Sequence, residues 1–227
     1  ATKRLPRMKS LCLLLGLLLS LSACARDLLN PPPPKLPYDR WSIGMLAPNY
    51  MEVWVESVDV LDQRGLAYYN VHGGITSIQN PPNNAGDPRG WPERPGSGKI
   101  MPITNVDLPE IVFVRWQSLV EPQTYHVRIN IPAWVREEML KPREVFCAWR
   151  GADDIKYRDA ITLGLAPGGI AKAWLTGGCL EPIEIGRFVG KIHPEGPYNG
   201  TSNGKHRPLS PEAKAYVDSH DIPYDSW

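Results

Sequence analysis

The sequence predicts a mainly β protein, in which an antiparallel β-sandwich-like domain carries two short accessory helices. Three observations lead to this fold class. Apolar residues alternate with polar ones through much of the chain, Gly, Pro and Asn separate the alternating runs, and only two stretches have a helical pattern. Many short strands separated by turn residues are typical of a sandwich.

Eight segments have the periodicity of strands. In chain order they are "RWSIGMLA", "MEVWVESVDVL", "EIVFVRWQSLV", "TYHVRINI", "REVFCAW", "AITLGLA", "IAKAWLT" and "IEIGRFVGKI". In the second segment Met51, Val53 and Val55 alternate with polar or amphipathic neighbours, as in a half-buried antiparallel strand. The stretch "LAPGGIAKAW" predicts a hairpin, because Pro167 and Gly168 are turn residues between two apolar runs.

Two segments predict short helices. "PAWVREEML" starts with Pro132, which suits a first helical turn, and it stops before Pro142. "SPEAKAYVDSH" starts with Ser210, a residue type that caps helix N-termini.

Residues 1–23 have the pattern of a lipoprotein signal peptide. Four basic residues precede an apolar run, residues 11–21, which is too short for a comfortable bilayer span. The run ends in "LSAC", the leucine, small, small, cysteine order of a bacterial lipobox, so Cys24 is predicted to carry the lipid anchor. Ala25 follows it in place of the aspartate that signals inner-membrane retention. We therefore expect a periplasmic protein anchored to a membrane, with the outer membrane favoured.

The rest of the chain divides into a tether and a domain. Residues 24–38 form a Pro-rich tether, in which four consecutive prolines favour an extended spacer. Residues 39–227 form a single β-rich domain, with a long Pro/Gly-rich loop predicted at 78–107. Without residues 1–23 the chain has 21 basic and 24 acidic residues, a net charge of −3. This balance argues against nucleic acid as a partner.

The cysteines predict one disulfide. Cys12 belongs to the signal peptide and Cys24 to the lipobox, which leaves Cys147 and Cys179 as a pair in an oxidising compartment. The alternative, that this pair binds a metal, lacks the CxxC or HxxxH spacing of such sites. We expect no metal and no cofactor.

Catalytic motifs are missing from the sequence, so we expect no enzyme. There is no G-x-S-x-G and no H-E-x-x-H pattern. "RPGSGKI" is not a phosphate loop, because Glu93 and Ile100 occupy positions that require glycine and Ser or Thr. "DSHD", residues 218–221, is interpreted as the solvated end of a helix. An unrecognised hydrolase is the least supported alternative.

The loop therefore becomes the main functional candidate. Residues 80–98 include five prolines and four glycines and have no strand or helix period. Long loops of this kind are usually functional or disordered. Three alternatives are open: a partner-contacting loop, a loop folded back over the sheet with Trp91 as its plug, and disorder. For the first, the predicted partner-binding residues are Asp87, Arg89, Trp91, Glu93 and Arg94.

Several longer stretches carry a family resemblance. They are "IGMLAPNYMEVWVE", "GWPERPGSGK", "FVRWQSLVEPQTYHVRINIP", "ITLGLAPGGIAKAWL" and "IPYDSW". From about Trp41 to Trp227 the chain resembles a family of predicted lipoproteins of pseudomonads and other proteobacteria, classed as a domain of unknown function. Its members occur beside type VI secretion genes, and it includes periplasmic immunity proteins against secreted phospholipase effectors.

The resemblance implies a function in binding. We expect an immunity protein that binds and neutralises a type VI secreted, lipase-type toxin through loops at one end of a sheet scaffold. The alternative is a structural lipoprotein that binds peptidoglycan or another envelope component, for which exposed tryptophans could stack on sugar rings.

Overall fold

The structure is a computed structural model that describes residues 31–227. The predicted signal peptide, Cys24 and the start of the tether lie outside the described residues. Leu36 and Tyr38, near the end of the predicted tether, already pack against the core. The compact unit is Pro34–Trp227, so it begins a few residues earlier than the sequence predicts.

Residues 31–227 contain twelve strands and two α-helices. The strands are β1 Arg40–Leu46, β2 Val53–Asp62, β3 Ala67–Ile75, β4 Lys99–Thr104, β5 Pro109–Ser118, β6 Gln123–Asn130, β7 Arg143–Cys147, β8 Ala152–Lys156, β9 Ala160–Ala166, β10 Ile170–Gly177, β11 Leu180–Val189 and β12 Lys191–Ile192. The helices are α1 Ala133–Met139 and α2 Pro211–Val217. All eight predicted strands and both predicted helices are present.

The strands form two five-stranded sheets and one hairpin. The first sheet has the order β11-β10-β9-β1-β4, the second has the order β12-β6-β5-β2-β3, and β7 pairs with β8. Neighbouring strands are antiparallel except for β1 and β9, which are parallel. The predicted hairpin is formed by β9 and β10, which turn through Pro167–Gly169. The mainly β, sandwich-like fold class is confirmed.

One continuous core lies between the two sheets. The first sheet contributes residues such as Ile43 and Leu163, and the second contributes residues such as Val55 and Val114. The pairing of β2 with β5 shifts by one residue between Val55 and Ser57. This β-bulge keeps the apolar residues on the inner face along the whole of β2.

The eighth predicted segment forms two strands, β11 and β12, and three further strands were not predicted. These are β3, β4 and β8, and β4 lies inside the stretch 78–107 that the sequence assigns to a loop. The loop is therefore shorter than predicted. β4 contains Pro102, which a central strand would not tolerate, but β4 is an edge strand that pairs only with β1.

The predicted disulfide is present and joins Cys147 of β7 to Cys179, in the turn before β11. Neither helix in residues 31–227 has the length and apolar character needed to cross a membrane.

Candidate functional site

Residues 80–98, which we call the cover loop, fold back over the outer face of the first sheet. The Thr162 hydroxyl of β9 donates a hydrogen bond to the Gly96 carbonyl at 3.2 Å. Ser97 lies so close to β1 that a Cβ atom on Gly44 would be 1.7 Å from the Ser97 carbonyl oxygen. The cover loop therefore buries the outer face of β9, which would otherwise be exposed to solvent.

Trp91 points inward, onto the sheet. Its ring meets the ring of Trp174 edge to face, with 5.5 Å between the centroids. A Cβ atom on Gly164 would lie 2.5 Å from Trp91 Cζ3, so only a glycine in β9 leaves room for the indole. The Trp91 Nε1 atom is buried and has no hydrogen-bond partner among the described residues. Trp91 therefore fills the space between loop and sheet.

The first half of the cover loop is fixed by Tyr50, a fully buried residue in the turn between β1 and β2. The Tyr50 amide donates to Asn80 Oδ1 at 2.8 Å, and the Tyr50 hydroxyl donates to the Pro81 carbonyl. The same hydroxyl accepts a hydrogen bond from the Gly86 amide at 2.9 Å. These bonds satisfy polar groups of a segment that has no regular secondary structure apart from one short turn.

The C-terminus of the chain supports the cover loop from another side. The Trp227 indole donates to the Pro88 carbonyl at 2.8 Å, and the Trp227 carbonyl accepts from Arg187 of β11 at 2.7 Å. The Tyr50 ring stacks on Tyr216 of α2 at 4.2 Å. Tyr50, Tyr216 and Trp227 belong to a second hydrophobic cluster, which the cover loop joins through Trp91. The loop is thus part of the folded domain.

The predicted binding residues Asp87 and Arg89 are exposed and paired with each other. Their side chains have exposed fractions of 58% and 71%. Arg89 Nη2 donates to Asp87 Oδ2 at 2.8 Å, and Arg89 Nε donates to Asp87 Oδ1 at 2.9 Å. The Arg89 side chain and then the Arg89 backbone amide lower the pKa of Asp87 to about 2. Both groups are therefore charged at neutral pH.

The other two predicted charged residues do not join this pair. Arg94 forms a salt bridge with Glu181 of β11, which ties the second half of the cover loop to the edge of the first sheet. Glu93 is exposed, and no hydrogen bond or ion pair connects it to another described residue. Of the five predicted residues, the structure therefore pairs Asp87 with Arg89. Trp91 lies below the loop, and Glu93 and Arg94 lie further along it.

Two recesses flank the Asp87–Arg89 pair, and both residues line each of them. The first recess, of about 470 Å³, lies between the cover loop, the turn after β1 and residues 77–79. The second, of about 580 Å³, lies between residues 84–89 and the end of α2. A charged pair with a recess on each side can bind a protein surface of complementary shape and charge.

The sequence did not reveal which other residues line the second recess. His220 and Asp221, which the sequence places at a solvated helix end, line the second recess. His220 stacks on Tyr216 with 4.2 Å between the ring centroids, so Tyr50, Tyr216 and His220 form a continuous stack. No local spacing could have revealed this, because more than 160 residues separate Tyr50 from Tyr216 in the chain.

A substitution in β1 tests the close contact between sheet and loop. We expect Gly44→Ala to lower the free energy of unfolding by about 2 kcal/mol or more, because the new methyl group must displace the backbone of Ser97. Gly96→Ala is the matched control in the cover loop, since its Cβ would meet no atom within 4 Å. Urea unfolding measures both. Equal stability of the two variants would contradict the described contact.

Residues 31–227 contain no cluster of three or more His, Cys, Asp or Glu side chains that could hold a metal ion. The arrangement around the cover loop instead provides charge, shape and rigidity.

Comparison with known proteins identifies a family but no function. No curated protein and no solved structure matches the chain. One family model, described as "Protein of unknown function (DUF2931)", matches residues 28–225. The match includes nearly all of the compact unit, with the cover loop and the segments that support it. The chain therefore belongs to the DUF2931 family of proteins of unknown function.

Proposed function

We propose that the chain is a lipid-anchored periplasmic binding protein, and more specifically an immunity protein that neutralises a type VI secreted, lipase-type toxin. The observation that carries the proposal is the cover loop, which is held in place from three sides while it presents the exposed Asp87–Arg89 pair between two recesses. The toxin class comes from the family resemblance of the sequence.

The rigidity of the loop supports a role in binding. Ordering a flexible loop at an interface costs free energy, and a loop that is ordered in advance avoids most of that cost. The hydrogen bonds of Tyr50 and the packing of Trp91 order the cover loop in the free protein. In this account Trp91 supports the surface from below, and the partner contacts Arg89, Asp87 and Glu93.

The charge pair supplies orientation. Arginine is enriched among the residues that dominate binding energy, and exposed charges align a partner and speed association. Arg89 keeps several guanidinium donors, and its pairing with Asp87 holds the group in one direction. Neutralisation then occurs by steric block of the toxin, and it needs no catalytic group on this chain.

The proposed location has independent support. The disulfide between Cys147 and Cys179 suits an oxidising compartment such as the periplasm. The "LSAC" sequence ending at Cys24 supports a lipid anchor. An anchored protein would be concentrated at the membrane surface, where a lipase-type toxin meets its substrate.

Co-expression tests the proposal. A lipase-type toxin encoded beside this gene is exported to the periplasm of cells that produce either this chain or a variant. We expect the chain to restore growth and Arg89→Glu to lose protection, with toxin affinity weakened about 30-fold or more. The matched control is Arg128→Glu on β6, an exposed arginine outside the cover loop.

Each outcome tests a different part of the proposal. Full protection by Arg89→Glu would show that the cover loop is not the contact surface. No protection by the unchanged chain would contradict the immunity function. Recovery of the purified chain on peptidoglycan sacculi, with no protein partner from envelope lysates, would favour the envelope-binding alternative.

A further inference from the structure

The β7–β8 hairpin exposes three large apolar side chains. Phe146, Trp149 and Ile155 have exposed fractions of 60%, 76% and 58%. Phe146 lies opposite Asp153 and Ile155 lies opposite Glu144, so Phe146 and Ile155 share one face of the hairpin. Trp149 lies in the connecting turn. Contiguous exposed apolar groups mark interaction surfaces.

The hairpin is held so that these side chains stay exposed. The disulfide fixes the end of β7 to the turn before β11. The Trp149 indole donates to Cys179 Sγ at 3.0 Å, and the Arg150 guanidinium lies 5.8 Å from the Trp149 ring centroid. Arg150 also pairs with Asp154 at 2.5 Å. Phe146 and Ile155 therefore have a defined position on the exposed face of the hairpin, whereas the Trp149 ring lies at the tip on the side of Cys147 and is still 76% exposed.

The chain enters the compact unit beside this hairpin. The Tyr38 ring packs against Tyr157, the residue that follows β8, with 5.4 Å between the centroids. The Tyr38 hydroxyl donates to the carbonyl of Met139 at the end of α1 at 3.1 Å. On α1 and just after it, Trp134 and Leu140 are also exposed. Exposed apolar groups thus lie on both elements next to Tyr38, the hairpin and α1.

We propose that this surface docks on the lipid membrane, with Phe146, Trp149 and Ile155 inserted at the boundary between headgroups and acyl chains. The inference rests on the proposed anchor at Cys24. The nine residues from 25 to 33 would span roughly 28 Å if extended like polyproline, so the anchor would hold the hairpin within reach of the bilayer.

The chemistry of the patch fits the membrane interface. Tryptophan prefers this interface, because its ring is apolar and its indole N–H is polar. Glu144 and Asp153, on the same face, limit insertion to a shallow depth. Lys141, Arg143 and Arg150 are about half exposed, and Arg143 lies on the face of the hairpin opposite Phe146. These cations can therefore meet lipid phosphates only beside the inserted groups.

Vesicle binding by the unanchored chain tests the docking. Pro34–Trp227 form one compact unit with both hydrophobic clusters and the disulfide, so a chain of residues 25–227 folds without the anchor. Vesicles of phosphatidylethanolamine with a minority of phosphatidylglycerol are the probe. We expect the chain to sediment with them, and brominated lipids to quench more of its tryptophan fluorescence than they quench in a Trp149→Phe variant.

The variant Phe146→Ser/Trp149→Ser/Ile155→Ser should bind the vesicles about 30-fold more weakly, because the inserted apolar area is lost. Tyr69→Ser is the matched control, since Tyr69 is 75% exposed on β3 of the second sheet. The docking is overturned if the unchanged chain stays in the supernatant, if the triple variant binds equally well, or if a cross-linker at position 149 captures no lipid. The assay contains neither toxin nor anchor, so such a result would leave the proposed immunity function standing.

Discussion

The double substitution Cys147→Ala/Cys179→Ala, which removes the disulfide, is expected to lower the free energy of unfolding by about 3–4 kcal/mol. The two cysteines are 32 residues apart in the chain, so their bond closes a loop in the unfolded state and reduces the entropy of that state. The bond also connects the β7–β8 hairpin to the edge of the first sheet, through the turn before β11. Urea unfolding of the oxidised protein and of the variant measures the difference.

A reducing agent provides the control for this prediction. It should lower the stability of the unchanged protein to that of the double variant, and it should leave the variant itself unaffected. A loss of less than about 1 kcal/mol in both comparisons would contradict the expected contribution of the cross-link.

Trp91→Ala is expected to lower the free energy of unfolding by about 2–4 kcal/mol. The indole fills the space above Gly164 and beside Trp174. Its removal leaves a cavity and opens the outer face of β9 to water. Thermal or urea unfolding measures the loss.

Two further variants sharpen the test of Trp91. Trp91→Phe should restore much of the stability, because it keeps an aromatic ring and removes the Nε1 donor that has no partner among the described residues. Arg89→Ala, two positions away and exposed, should change the stability by no more than about 0.5 kcal/mol. A Trp91→Ala variant as stable as Arg89→Ala would contradict the inward position of the indole.

The fold class could be predicted because the central strands alternate clearly or are continuously apolar. The missed strands lack such a signal. β3 contains two glycines and buries only His72, β4 contains Pro102 at a sheet edge, and β8 reads "ADDIK" and buries no residue. These strands are stabilised by pairing with a neighbour more than by burial of their own side chains. The parallel pairing of β1 with β9 depends on contacts across more than 100 residues, which local patterns do not contain.

The site could be predicted only in part. Composition selected residues 80–98, but it could not decide whether Trp91 faces outward, because that depends on Gly164 and Trp174 in distant strands. Gly164 was the available signal, since a glycine within an apolar strand often marks the close approach of another group. The fixing of the loop by Tyr50 and Trp227 is a purely tertiary effect.

Amide hydrogen exchange by NMR tests most directly the central claim that the cover loop is ordered in the free protein. The Gly86 amide bonds to the Tyr50 hydroxyl and the Tyr50 amide bonds to Asn80. We expect both amides to exchange at least about 100-fold more slowly than in an unstructured peptide. Exchange of both at the unstructured rate would show a loop that is open in solution, and it would contradict both its role as a cover and its preorganisation for binding.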